Sequence, residues 1–143
     1  MLVKKQNWRQ LLVKFAEAEA GTPFVWGQSN CVSLALRAID EQCGSALAAE
    51  YKRHMKSERA AWAWSQRNGI AEIAKKFIEH GGCEIARFYE DDGDILLMQH
   101  DREISAHVLI SGRYLSSTPG LGVAYFAPSD LRDSPQRIVL GVR

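Results

Sequence analysis

Apolar positions recur at three- and four-residue steps through the first half of the chain and then change period. Trp8, Leu11, Leu12, Phe15 and Ala16 form one stripe, which predicts a helix from about Gln6 to Ala20, stopped by Gly21 and Pro23. Val32, Ala35, Leu36, Ile39 and Cys43 share a face of a second helix, with Ser29 or Asn30 as its N-cap and Gly44 at its end. "SERAAWAWSQRNG" predicts a third helix opened by Ser57 and closed by Gly69, and "IAEIAKKFIEHGG" a fourth that ends at Gly81 and Gly82. Beyond that point the pattern shortens. "CEIARFY", "DILLMQH", "SAHVLISGRYLSS", "GVAYFAP" and "RIVLGVR" are brief apolar stretches divided by Gly, Asp, Ser and Pro, as expected of antiparallel strands with tight connections. Helices first and strands second, without regular alternation, predict an α+β domain whose N-terminal helices pack on a C-terminal antiparallel sheet.

Length and charge narrow the function classes. The 143 residues, 46% of them hydrophobic, fit one domain with one core: a helical half over about 1–81 and a sheet half over about 82–143. The net charge of +1 is spread without a run of one sign, so no footprint for nucleic acid is expected. In "MLVKKQNWRQLLVKF" charges break every apolar run before it could become a signal core or a membrane span, which predicts a chain made in the cytoplasm. Cys31, Cys43 and Cys83 are an odd number and form no CxxC pair, and His54, His80, His100 and His107 show no ligand spacing with them. Neither a disulfide framework nor a metal site is expected, and no cofactor motif is present.

Chemistry concentrates on "PFVWGQSNCVSLALRAID". If Asn30 or Ser29 caps the second helix, Cys31 lies in its first turn, where free N–H groups favour a thiolate and could hold an acyl oxyanion. A nucleophilic cysteine needs a base, and His107, at the start of the apolar stretch "SAHVLIS", is the best candidate. The alternative is a Cys31 that packs as a small core hydrophobe and a His107 that is an ordinary strand residue. Both readings stand on sequence alone. Trp62 and Trp64, two apart on a helix, point to nearly opposite faces, which leaves one of them available to a partner.

The order "GTPFVWGQSNCVSLAL", "GDILLM", "HVLI", "GRYLSS" resembles the NlpC-type cell-wall peptidases, a papain-like superfamily of cysteine hydrolases. The short spacing from Trp26-Gly27 to Cys31 looks most like a compact branch associated with phage and prophage tails. The resemblance implies a papain-like NlpC-type fold with Cys31 as nucleophile, His107 as general base and Ser116 as the third residue that orients the histidine. It further implies a bacterial cell-wall peptide, or another amide, as substrate, with Phe24, Trp26, Gln28 and Asn30 beside the nucleophile. Phage tail proteins are the implied partners, and the virion tail a second location. Three positions depart from the family pattern: Phe24 replaces a common tyrosine, Asn30 an aspartate, and Ser116 a His, Asn or Gln. These substitutions leave a second class of function, a papain-like structural or assembly protein of the tail with little or no activity.

Overall fold

A computed structural model describes residues 1–143. Five helices come first: α1 (Trp8–Glu19), α2 (Cys31–Cys43), α3 (Leu47–Tyr51), α4 (Glu58–Arg67) and α5 (Gly69–Glu79). Six strands follow: β1 (Cys83–Glu84), β2 (Ile95–His100), β3 (Glu103–Ile110), β4 (Arg113–Thr118), β5 (Gly122–Phe126) and β6 (Arg137–Gly141). They form one antiparallel sheet in the order β1-β6-β2-β3-β4-β5. The molecule is therefore the expected α+β arrangement of N-terminal helices on a C-terminal sheet.

Most elements begin and end where local chemistry directs. Gly44, at φ 69, terminates α2 in a left-handed cap. Ser57 opens α4 by accepting a hydrogen bond from the Ala60 N–H. Removing that cap in Ser57→Ala is expected to cost about 1 kcal/mol of stability, read as a lower urea midpoint at unchanged slope. Two expectations change. The pattern gave no sign of α3, which is a single turn and a half held by its neighbours. "CEIARFY" pairs only at Cys83 and Glu84 before the chain leaves the sheet.

The sheet has two unlike faces. Ala106, Val108 and Ile110 of β3 join Leu34, Ile39, Phe77 and other helix residues in a core of 27 buried side chains, with the half-buried Ile104 packed against it. Against the opposite face a smaller cluster of Leu96, Met98, Tyr114 and Val139 is partly covered by Ile85, Leu109 and Leu131. Because successive side chains on a strand alternate in direction, Ile104, Ala106, Val108 and Ile110 of β3 face the helices, while His107 and Leu109 turn to the other side. α2 packs directly on β3 and β4.

Candidate functional site

The turn before α2 is knitted together by its own polar atoms. The Ser29 hydroxyl donates to the Pro23 carbonyl at 2.6 Å and accepts from the Val25 N–H at 2.9 Å. Asn30 is the N-cap residue, but its side chain does not cap the helix; Oδ1 accepts from the Gly27 N–H at 2.9 Å and closes the turn instead. Backbone bonds between Thr22 and Val123 and between Gly21 and Val123 tie the same loop to β5. Phe24 and Trp26 are thus held edge to face, with centroids 4.9 Å apart, next to the first residue of α2.

That first residue is Cys31, and it borders a cavity of about 440 Å³. The walls come from the loop (Phe24, Trp26, Asn30), from α4 (Glu58, Trp62, Ser65), and from the strands and turns at one end of the sheet. The size suits a small ligand or one or two residues of a peptide. Inside it, the Cys31 thiol donates to the Ile104 carbonyl at 3.5 Å. Burial pushes its pKa up; N–H groups of Ala106, Val32 and Cys31 itself pull it down but do not compensate. The helix terminus therefore acts on the sulfur as the sequence suggested, and desolvation is the larger effect.

His107 lies elsewhere. Its cross-strand neighbour on β2 is Leu96, and its ring meets Tyr114 edge to face at 6.1 Å, so it belongs to the small cluster on the face away from α2. Burial lowers its pKa to about 4, against a hydrogen bond with the Leu96 backbone that raises it, with His100 adding a smaller repulsion. Its Nδ1 has no hydrogen-bond partner. The β3 residue turned toward α2 is Ala106. The expected pairing of Cys31 with His107 is therefore not assembled: the sheet itself separates thiol from imidazole. Ser116 does not orient the ring either, since its hydroxyl donates to the Ala106 carbonyl at 2.7 Å.

Of the expected contact residues, Phe24, Trp26 and Asn30 reach the cavity, and Gln28 does not. Gln28 borders a separate groove, where its carbonyl accepts from Arg37. The cavity also contains residues that no sequence pattern singled out: Glu58, His100, Arg102, Glu103 and Ser117. Glu58 and Ser117 are far in the chain from the His100–Glu103 turn, so no local spacing could have signalled the set. Trp62 and Trp64 divide as the helical period requires. Trp64 is buried, while Trp62 faces the cavity with the Arg102 guanidinium 3.9 Å above its ring. No group of three or more His, Cys, Asp or Glu side chains is placed to hold a metal ion, and no helix is long and apolar enough to cross a membrane.

Fold and site together define an α+β domain with a cysteine-headed helix laid on an antiparallel sheet beside an aromatic cleft. By sequence, the chain belongs to the family described as a domain of unknown function, DUF6950, which matches residues 3–133. No curated protein matches it. Among solved structures it is similar to RipD from Mycobacterium tuberculosis, described as a non-catalytic NlpC/p60 domain protein adapted to peptidoglycan binding. That likeness has 15% identity and a TM-score of 0.47, and covers 96% of this chain and 98% of the other.

Proposed function

We propose that this protein is a papain-like binding domain that keeps the cleft of a cysteine peptidase without its chemistry, and that the cleft takes a peptide of the bacterial cell wall. The observation that carries the proposal is the position of His107 on the face of the sheet away from Cys31. Acyl transfer by cysteine needs a thiolate and a base within hydrogen-bond reach, and here the thiol is desolvated and donates to a carbonyl. The resemblance of the Trp-Gly-to-Cys turn to cell-wall peptidases supports the ligand class, as does a cleft with aromatic walls and a few polar groups. Use of this binding domain in a phage tail, with tail proteins as partners, extends the same proposal.

Co-sedimentation with purified peptidoglycan tests it. The protein is expected to pellet with the wall and release no soluble muropeptide, Cys31→Ser is expected to pellet equally, and Trp26→Ala to pellet less. Release of fragments by the parent, abolished in Cys31→Ser, would replace binding with hydrolysis.

A further inference from the structure

The cavity beside Cys31 is chemically two-ended. At its inner end lies Ser117, 3% exposed, a lining residue whose buried hydroxyl has no hydrogen-bond partner. A buried hydroxyl in that condition costs stability unless something else satisfies it. Ser117 follows Leu115 on the α2 side of β4, and its cross-strand neighbour Val123 lies in the main core, so the hydroxyl belongs to the cleft face of the sheet. At the outer end Arg102, in the turn between β2 and β3, holds its guanidinium carbon 3.9 Å from the centre of the Trp62 ring. None of the ion pairs in the protein includes Arg102. This cation–π contact holds the guanidinium over the ring while leaving its N–H groups without a protein partner, which suits a carboxylate.

The other charges near this end select among anions. Glu58 and Glu103 border the same cavity, also outside any ion pair, and a polar groove that shares Trp62, His100, Arg102 and Glu103 with it adds Asp101 and Arg132. Two carboxylates beside Arg102 oppose a dianion more than a monoanion. The apolar walls between the ends, including Trp26 and Val32, favour an uncharged body over a free ion.

We propose that the cleft binds a short peptide by its terminal carboxylate, held by Arg102 on its Trp62 platform, while an amide group of the same ligand satisfies the Ser117 hydroxyl. This assignment rests on the binding function above and specifies which end of the ligand the cleft reads. Trp62, which the sequence offered as a contact for a protein partner, becomes the platform of the subsite.

The test uses the whole chain and N-acetyl-Ala-Ala as probe, followed by NMR at the indole N–H signals of Trp26 and Trp62. The free acid is expected to bind about tenfold more tightly than its C-terminal amide, and Arg102→Lys and Arg102→Gln to lose about the same factor. Ser117→Ala is expected to weaken binding about fivefold while leaving the ligand-free protein at least as stable as the parent. Inorganic phosphate is expected to bind at least about tenfold less tightly than the peptide acid. Equal binding of acid and amide, no effect of either Arg102 variant, or phosphate as good as the peptide would overturn the assignment. Mass spectrometry of the probe separates this from the broader reading. A probe bound as expected but cleaved at its internal amide would refute the non-hydrolytic function and leave the subsite standing.

Discussion

Replacing Arg143 by alanine is expected to cost about 3 kcal/mol of folding stability, measured by urea unfolding near neutral pH. The reason is Asp94, at the head of β2, which is 1% exposed. Both of its oxygens accept from the Arg143 guanidinium, at 2.8 and 2.7 Å, and Oδ2 also accepts from the Asp91 N–H. A buried pair of this kind adds little relative to apolar packing, but removing one partner leaves a buried charge without compensation. The low end of the usual cost applies because the Arg143 side chain is 40% exposed, so water can replace part of it. Since domains are typically stable by only about 5–15 kcal/mol, such a loss is large. Adding Asp94→Asn to Arg143→Ala is expected to restore most of the stability, because the remaining group is neutral. A double variant no better than the single one would show that Arg143 acts by packing rather than by charge.

His107 produces the second large effect. An unfolded chain protonates this ring near pH 6.5, whereas the folded chain keeps it neutral down to about pH 4. Between those values the unfolded state binds more protons, so the contribution is complete above about pH 6.5 and is lost as the pH falls toward about 4. The full window corresponds to roughly 3 kcal/mol. In His107→Leu, which fits among Leu96, Met98 and Tyr114, this loss should vanish. The check is the difference between parent and variant in unfolding free energy at several pH values, because carboxylates common to both cancel. Parallel curves would mean that the imidazole is accessible to protons in the folded state.

Much of this architecture was legible because helices announce themselves. The stripes that predict α1, α2, α4 and α5 are wide enough to be unambiguous, and Ser57 and Gly44 mark ends that the structure uses. The Gly-Asp pair before β2 was visible too, and its physical reason is now plain. Gly93, at φ 87, passes so close to the Gln42 side chain that a Cβ would collide with it, and Asp94 anchors Arg143. The candidate site was legible only on its helical side, where Cys31, Phe24, Trp26 and Asn30 are neighbours in sequence.

The strand side was not legible, because "SAHVLIS" has two apolar faces. Ala106, Val108 and Ile110 go one way, His107 and Leu109 the other, and both sets meet apolar partners. Period-two alternation fixes register only when one face is polar, and a slip of one residue exchanges the faces. The same slip separates the expected Ser116 from Ser117, the hydroxyl that borders the cleft.

The central claim, a cleft without an activated thiolate, is tested most directly by the alkylation rate of Cys31 against pH, followed by peptide mapping in the parent and in His107→Ala. The account predicts slow labelling with a midpoint above the roughly 8.5 of an ordinary thiol and the same profile in the variant. A midpoint below about 7, and above all one that rises in His107→Ala, would contradict it by placing an imidazole within reach of the sulfur.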